Sequence, residues 1–392
     1  MSELPAKYDY ILAGGGLSGQ MLALELQKFI PEDASVLIVD RNNKNQNDRT
    51  WSYWSIDRFW TDNLAVKTWE NIHVRADRFD RKINIDPYHY ATIRGIDFYN
   101  FTKEKLKDDS RFEWIKADIS SVDNQSGNVS TLDGKCYEGN LVFKSFFDPK
   151  HLSIPSENYT VLYQQFKGWF VKTEEDIFDD LTVTFMDFQT LENTKETRFF
   201  YILPFSKNEA LVEYTAFTAN RLDETVFDQH LDWYFKEKLP PTKFEIRETE
   251  FDFIPMTDYP FPGKVEGKVV NIGTTAAFVK ASTGYCFSRT REKVQLIANA
   301  LQKNGKIEES DFTSPVHYRI FDSAMLDMTG SGKIPGAKFF TSLFKKMPSS
   351  FLFRFLDEKA SFGEIIRTML SSPGKVKLIR STMNKLLKIN RL

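Results

Sequence analysis

Residues 8–40 read YDYILAGGGLSGQMLALELQKFIPEDASVLIVD and contain the clearest structural pattern of the chain. The first six residues are a short apolar run typical of a buried strand, and the last six, SVLIVD, are a second one. Between them, a glycine-rich turn at 14–19 leads into apolar residues at helical spacing, which predict a helix at 21–29. The stretch therefore predicts a βαβ unit.

Gly14, Gly16 and Gly19 form G-x-G-x-x-G, the spacing with which a strand, a turn and a helix bind the pyrophosphate of a dinucleotide. Asp40 ends the second strand, where its carboxylate can accept hydrogen bonds from a ribose diol. The alternatives are a glycine-rich turn in an unrelated α/β fold and, for Asp40, a capping or surface role. The agreement of strand, turn, helix and terminal acid favours dinucleotide binding.

The rest of the chain indicates that the dinucleotide is FAD rather than NAD. Strand-like runs over 161–254 predict an antiparallel sheet with a helix near 223–237. The run VVNIG at 269–273, followed by a helix from about Ser282 to 303, predicts a late strand-glycine-helix element. This order resembles FAD proteins of the hydroxylase and glutathione-reductase type, whereas simple NAD enzymes continue as repeated αβ units.

We therefore predict an α/β protein with an FAD-binding dinucleotide fold, an inserted antiparallel-sheet substrate domain and a helical C-terminal region. The predicted divisions are 1–160 for the first FAD-binding part with a substrate-facing insertion near 50–90, 161–254 for the substrate domain, 255–303 for the second FAD-binding part, and 304–392 for the helical region.

Composition argues against several other classes of protein. The formal net charge of -2 argues against binding nucleic acid through global charge. The 2 cysteines and 5 histidines show no HExxH or CxxC spacing, so we predict no metal site. The N-terminus lacks a signal-peptide pattern, and no apolar run approaches the roughly 18 residues that span a bilayer. The 35 Phe indicate a wide apolar surface, which would be core, substrate tunnel or membrane-facing patch.

Several segments occur in the order that one known family shows. They are GGGLSG at 14–19, RTWSYW at 49–54, YATIR at 90–94, QFKGW at 165–169, FMDF at 185–188, YILPF at 201–205, LVEYT at 211–215, IPMT at 254–257, IGT at 272–274 and STGY at 282–285. As an ordered set they resemble the flavin-dependent lycopene cyclase family from about residue 8 to 290. The family often has two adjacent glutamates where this chain has Glu213-Tyr214, and an Asp-x-x-Gly segment where it has VFKS at 142–145.

The resemblance implies a lycopene β-cyclase, which converts the linear ends of lycopene or a related linear carotenoid to β-rings without net redox change. It implies that reduced FAD lies near the cationic intermediate, and that NAD(P)H serves only as electron donor to the flavin. Two other functions are alternatives. One is an FAD-dependent monooxygenase or reductase acting on an isoprenoid lipid, and the other is a non-catalytic flavin or lipid binder.

Glu213, in the apolar strand ALVEYTAF, is the first candidate for the catalytic acid, because a carboxyl facing an apolar cavity has a raised pKa. A structural carboxylate paired with Arg or Lys is the alternative. Asp187 in TFMDF is the second candidate, against a buried hydrogen-bonding acid. Trp51, Tyr53 and Trp54 are predicted to line the polyene site, where aromatic faces stabilise a cation, unless they are simply core.

The second group of predicted cofactor residues lies far from the glycine turn in the sequence. Arg94 would either contact the flavin or anchor a helix. Gly273 follows the late strand, and Thr283 and Gly284 would present backbone N–H groups to the flavin from a helix start. A plain helix cap is the alternative for Thr283.

The C-terminal region shows apolar residues at helical spacing over 339–351 and again over 376–387. No acidic residue follows Glu364, so the end of the chain predicts a basic amphipathic helix that binds an anionic membrane surface. A packed helix with a solvated basic face is the alternative. We expect a cytoplasmic protein that is peripheral on the inner face of the cell membrane.

Overall fold

The fold is described from a computed structural model for residues 5–146, 159–192, 194–261, 263–330, 332, 334–374 and 380–383. Three β-sheets and nine α-helices occur in these ranges. The two larger sheets lie in different parts of the molecule, and helices of the C-terminal region pack against one of them.

The first sheet contains the N-terminal strand. Its strands are β1 Ala6–Ala13, β2 Val36–Asp40, β8 Phe112–Lys116, β9 Ile119–Val122, β10 Asn128–Thr131, β11 Cys136–Lys144, β17 Val265–Glu266 and β18 Val269–Asn271. Strand β1 pairs in parallel with β2 and β11, and β18 pairs in parallel with β11. Helix α1, Leu17–Gln27, joins β1 to β2. The predicted βαβ unit is therefore confirmed, and burial of β1 and β2 on both faces explains their continuous apolar runs.

The second sheet, called here the large sheet, has seven strands in the order β16-β12-β15-β14-β13-β5-β6. They are β5 Asn71–Ala76, β6 Phe79–Asn84, β12 Val161–Thr173, β13 Thr182–Asp187, β14 Thr197–Pro204, β15 Glu209–Thr218 and β16 Phe244–Thr257. All neighbours are antiparallel except β13 and β5. The sheet thus extends beyond the predicted 161–254 by two strands of the 50–90 insertion, because Ile72 and Val74 complete the same apolar core.

A third sheet of three strands has the order β3-β7-β4 and adjoins the start of α2. The strands are β3 Thr50–Ser55, β4 Lys67–Trp69 and β7 His89–Arg94. The remaining helices are α2 Gly95–Leu106, α3 Glu224–Glu237, α4 Phe287–Asn304, α5 Glu309–Phe312, α6 Val316–Gly330, α7 Gly336–Lys346, α8 Ser349–Leu356 and α9 Phe362–Ser371.

The two faces of the large sheet have different neighbours. Helix α3 covers one face through Phe227, Leu231 and Tyr234. Apolar residues of α6 to α9 pack toward the other face, which includes Phe185 and Phe199. A space between this second face and the C-terminal helices is where the candidate site lies.

Two predicted helix starts are wrong. The helix predicted at 21–29 begins already at Leu17, because only Gly16 and the residues before it keep extended or turn geometry. The helix expected from about Ser282 begins instead at Phe287. Gly284 has a φ of +75°, which an α-helix does not accommodate, and Gly284 N–H and Thr283 N–H both donate to the Lys280 carbonyl in a tight turn. Residues 282–286 therefore form a turn before α4.

The helical C-terminal region is confirmed over the part that the structure describes. Most of the predicted basic amphipathic helix, at 375–379 and 384–392, lies outside the described residues. None of the described helices is both long enough and apolar enough to cross a bilayer.

Candidate active site

The glycine turn has the geometry that a dinucleotide needs. Gly14 adopts a φ of +115°, and its N–H donates to the Val39 carbonyl at 2.8 Å. A Cβ on Gly19 would lie 2.1 Å from the Gly14 oxygen, so this glycine permits close packing of α1 on the turn. A Cβ on Gly16 would meet nothing within 4 Å, and no side chain caps the N-terminus of α1. The open space at a free helix N-terminus fits a pyrophosphate.

Asp40 lies beside this turn, as expected from its place at the end of β2. Its Oδ2 accepts a hydrogen bond from Gly15 N–H at 2.7 Å, and its Oδ1 accepts one from Asn42 N–H at 2.8 Å. The carboxylate therefore fixes the shape of the turn. Each oxygen has a second lone pair, so Asp40 can also accept from a ribose hydroxyl.

The late strand and the turn before α4 provide the second candidate cofactor surface. Gly273 follows β18 with a φ of +70°, and a Cβ there would lie 3.1 Å from Ser18 Oγ at the start of α1. The backbone N–H groups of Thr283 and Gly284 are used within their own turn, so the predicted N–H contacts to a flavin are not free. The Thr283 hydroxyl, by contrast, is buried without a partner and faces the cavity, so it can bond to a cofactor.

Arg94 is the last residue of β7 and occupies the N-cap position of α2, although its side chain does not cap the helix. Its Nη2 donates to Glu248 Oε2 of β16 at 2.5 Å. The guanidinium also lies over the Phe170 ring, 5.7 Å from the centroid. These contacts match the alternative in which Arg94 anchors an element, here by tying α2 to the large sheet.

A cavity lies between the large sheet, the third sheet and the C-terminal helices. Most of its lining is apolar or aromatic, including Phe166, Phe185, Tyr201 and Phe344. Thr283 and Gly284 contribute to the same wall. The cavity therefore joins part of the candidate cofactor surface to an apolar space.

The structure separates the three predicted aromatic residues. Trp51 lines the cavity. Tyr53 stacks on Phe287 with ring centroids 4.8 Å apart and donates to Asp62 Oδ1 at 2.5 Å, so it belongs to the core under the third sheet. Trp54 packs against Tyr285 and donates from Nε1 to Asp357 Oδ1 at 2.7 Å. Among the three, only Trp51 borders the cavity.

Glu213 is the one carboxyl among the described residues that line the cavity. Alternation along β15 places it on the cavity face with Thr215, whose hydroxyl donates to Glu213 Oε1, and turns Tyr214 toward α3. Burial, and then the negative charge of Glu250, raise the pKa of Glu213. The described ion pairs do not include Glu213, so it is not the Arg- or Lys-paired carboxylate of the alternative interpretation.

Glu250 of β16 is a site residue that the sequence analysis missed. Its negative charge acts on Glu213, and the Thr50 hydroxyl donates to its Oε2 at 2.8 Å. Burial raises its pKa as well. The sequence does place Glu248, Glu250 and Asp252 on one face of β16 by alternation, but such a row is also typical of a solvated strand face and did not single out Glu250.

Three tyrosine hydroxyls form a second polar group beside Glu213. Tyr90 lies 2.7 Å from the Tyr201 oxygen and 2.9 Å from the Tyr285 oxygen, hydroxyl to hydroxyl. Burial raises the pKa of all three, so they keep their protons. All three lie within segments that carried the family resemblance, although none was singled out as a site residue.

Asp187 is not brought to the cavity. Its carboxylate is fully buried, accepts from the Tyr234 hydroxyl at 2.8 Å and forms an ion pair with Arg75 at 3.2 Å. Gln189 N–H donates to its other oxygen at 3.0 Å. These contacts correspond to the buried hydrogen-bonding acid that was the alternative, so we do not retain Asp187 as a catalytic candidate.

The residues that the structure describes contain no group of three or more His, Cys, Asp or Glu placed to hold a metal ion.

Comparison with known proteins agrees with this arrangement. The sequence model of a family described as "Lycopene cyclase protein" matches residues 9–381. The chain belongs to the lycopene cyclase family. The family expectation from the ordered segments is thereby confirmed.

Individual relatives of this family member are distant. The chloroplastic lycopene beta cyclase of Solanum lycopersicum is 26% identical over 315 residues, which cover 75% of this chain and 60% of that protein. The lycopene beta-cyclase of a Paracoccus species is 27% identical over 222 residues, covering 54% of this chain and 52% of that protein. The chain thus spans about half to three fifths of the length of these curated relatives.

Solved structures with a similar fold are flavoproteins and related enzymes. A geranylgeranyl bacteriochlorophyll reductase-like protein from Thermoplasma acidophilum has a TM-score of 0.60 at 10% identity, covering 97% of this chain and 100% of that one. The flavin-dependent brominase Bmp2 has a TM-score of 0.56 at 13% identity, covering 98% and 100%. Identities this low establish the fold alone, and the predicted FAD-type α/β fold is confirmed.

Proposed function

We propose that this lycopene cyclase family member is a lycopene β-cyclase, which closes the linear ends of lycopene or a related linear carotenoid to β-rings with reduced FAD and no net redox change. One observation carries the proposal. Glu213, a carboxyl whose pKa burial raises, faces an aromatic cavity that is also lined by the candidate cofactor residues Thr283 and Gly284.

The reaction conserves atoms and electrons. The proton of the Glu213 carboxyl adds to the terminal double bond, whose π electrons form the new C–H bond and leave a tertiary cation. A second double bond attacks this cation and closes the ring, and the cation moves into the ring. A ring proton then leaves to a carboxylate, which restores the acid and a ring double bond. The product is an isomer of the substrate, so the enzyme is of the intramolecular lyase or isomerase type.

The cavity wall supports the cationic step. Aromatic faces attract a cation through their quadrupoles, and Trp51, Phe166 and Tyr201 line the space around Glu213. The apolar lining also excludes water, which would otherwise capture a tertiary cation as an alcohol. Hydroxyls that are held neutral, such as those of Tyr201 and Tyr285, add dipoles without competing as bases.

The chain's own residues fit the flavin that the fold implies. Gly14, Gly16 and Gly19 with the start of α1 would hold the pyrophosphate, and Asp40 the ribose. The unpartnered Thr283 hydroxyl would bond to the part of the cofactor that reaches the cavity. When bound in reduced form, FAD would supply negative charge close to the cation, and NAD(P)H would serve only to reduce it.

Helix α9 supports peripheral membrane binding. Phe362, Ile366 and Leu370 are spaced by four residues on its outer face and are 72%, 38% and 54% exposed. Thr368, on the inner face, lines the cavity. A polyene dissolves in lipid and not in water, so an apolar helix face next to the cavity suits uptake from a bilayer. We place the protein on the cytoplasmic face of the cell membrane, bound peripherally.

The decisive experiment is anaerobic incubation of the purified full chain with lycopene in liposomes and chemically reduced FAD. We expect a cyclic isomer of lycopene without oxidation of added NAD(P)H, and strongly reduced formation of this isomer by a Glu213→Gln variant that still binds flavin. Consumption of NAD(P)H in proportion to a hydroxylated or reduced product would instead identify a monooxygenase or a reductase of isoprenoid lipids. Full cyclisation by Glu213→Gln would show that this carboxyl is structural.

A further inference from the structure

Glu213 and Glu250 belong to one row of residues that crosses three strands. Strand β12 lies between β15 and β16, and its Gly168 is the direct partner of Glu213 on one side and of Glu250 on the other. Directly paired residues of adjacent strands point to the same face of a sheet. Both carboxyls therefore lie on the cavity face, one on each side of a residue that has no side chain.

Gly168 allows the two side chains to meet. Neighbouring strands lie about 4.8 Å apart, so the two glutamates start roughly 10 Å from each other at the backbone. The gap is closed by Glu250, because a Cβ added to Gly168 would lie 3.2 Å from Glu250 Cγ and 3.3 Å from its Oε1. The Glu250 side chain thus passes over the glycine toward Glu213, and its negative charge acts on the Glu213 carboxyl.

We propose that Glu250 is the positioning residue for Glu213, and that the two carboxyls hold one proton between them in the resting protein. The catalytic meaning of this pair rests on the proposed cyclase function. The shared proton itself is inferred only from the alignment of Glu213, Gly168 and Glu250 on neighbouring strands and from the charges around the two carboxyls.

The surroundings favour a single negative charge on the pair. Within the described ranges, no Lys or Arg forms an ion pair with either carboxyl. Arg49, whose charge acts on Glu250, pairs with Asp252, and Glu248 on the same strand as Glu250 is paired with Arg94.

The other groups that face the pair are neutral. They are the hydroxyls of Thr50 from β3, Thr215 from β15, Tyr201 from β14 and Tyr285 from the turn before α4. Two adjacent carboxylates without an ion-pair partner among the described residues cannot both ionise cheaply, so one proton is retained between them.

This arrangement serves both proton transfers of the cyclisation. When Glu213 gives its proton to the terminal double bond, the pair carries two negative charges next to the new cation, which stabilises that cation. The doubly charged pair is also a stronger base than one carboxylate, so Glu213 recovers a proton from the ring carbon. Glu250 acts through its charge on Glu213, which is the group that exchanges the proton with the substrate.

The test replaces Glu250 with Gln in the full-length flavin-loaded protein. Cyclisation requires protonated Glu213, so activity is present below the pKa of Glu213 and is lost as pH rises through it. Removing the neighbouring charge lowers that pKa, and we expect the alkaline limb of the pH profile to move to lower pH by about 1 unit or more, the coupling of an interacting pair. Glu245→Gln, which removes an exposed carboxyl of the same strand, is the matched control and leaves the limb in place.

A second readout does not depend on activity. Infrared titration of the protonated carboxyl band, taken as the difference between the wild-type protein and Glu213→Gln without substrate, follows the proton directly. The Glu250→Gln variant should lose this band at lower pH, and Glu250→Asp, which restores the charge, should return it toward the wild-type value.

Gly168→Ala moves Glu250 without removing a charge, because its Cβ would lie 3.2 Å from Glu250 Cγ. The same Cβ would lie 2.6 Å from Leu211 Cδ1, so Leu211→Ala is added to make room for the methyl group. The double variant should shift both readouts in the direction of Glu250→Gln, while circular dichroism and flavin absorbance report an intact fold. An unchanged band and an unchanged alkaline limb in folded Glu250→Gln would overturn the shared proton. A shifted band in a protein that forms no cyclic product would support the pair and refute the cyclase.

Discussion

The glycine turn allows two roles of glycine to be separated by substitution. Gly19→Ala would place a Cβ 2.1 Å from the Gly14 oxygen, more than about 1 Å inside ordinary contact, so α1 has to move away from the turn. Such overpacking costs about 1 to 3 kcal/mol of unfolding free energy. Gly16→Ala places its Cβ in open space, and the φ of -81° at Gly16 suits any residue. The unfolding free energy of the flavin-free variant should therefore lie within about 0.5 kcal/mol of the wild-type value.

Flavin binding should respond differently from stability. The Gly16 methyl occupies the space through which a pyrophosphate approaches the backbone, so we expect FAD affinity to fall at least about tenfold, which is about 1.4 kcal/mol. Urea unfolding of the flavin-free variants and quenching of flavin fluorescence measure the two effects separately. Wild-type FAD affinity in Gly16→Ala, or equal loss of stability in both variants, would refute the assignment of this turn to a dinucleotide.

Three further predictions concern other parts of the molecule. Glu213→Gln should lower the rate of cyclisation by about 10²- to 10⁴-fold, the usual contribution of a general acid, with unchanged flavin absorbance; a smaller loss would point to another proton donor. Lys280→Met should lower the free energy of unfolding, measured in urea, by about 3 to 5 kcal/mol. The reason is that Lys280 is only 1% exposed and its partner Asp322, 2.8 Å away, would keep a buried charge without a counter-ion. The double variant Phe362→Glu and Leu370→Glu should move the protein from the pellet to the supernatant when it is sedimented with anionic liposomes. The control Leu132→Glu, which changes an exposed apolar residue elsewhere, should leave the protein in the pellet. Equal sedimentation of both variants would exclude α9 as the membrane contact.

The parts of the site that the sequence predicted well are those formed by neighbours in the chain. The glycine turn, Asp40 and the face of β15 that carries Glu213 depend on strand and helix periods and on the backbone freedom of glycine. The limit of this reasoning is visible at Thr283 and Gly284. They do reach the cavity, but a positive φ at Gly284 delays the helix to Phe287 and uses the N–H groups that a helix start would have left free.

Asp187 and Trp54 illustrate why an apolar context did not identify function. Each stands in an apolar strand of the kind that predicted Glu213, yet Asp187 is held by Arg75 and Tyr234, and Trp54 by Asp357. A buried polar group has to find a partner, and in most places that partner is structural. The sequence pattern shows that a side chain is buried but does not show what faces it.

By itself, the sequence determined the βαβ unit, the family and the strand face on which the acid lies, because each depends on residues close in the chain or on ordered short segments. Only the tertiary structure decided that the insertion completes the large sheet, that Tyr90, Tyr201 and Tyr285 meet, and that Glu250 reaches Glu213 across a glycine. Strand periodicity states which residues share a face along one strand, whereas the identity and register of the next strand follow from how the whole chain packs.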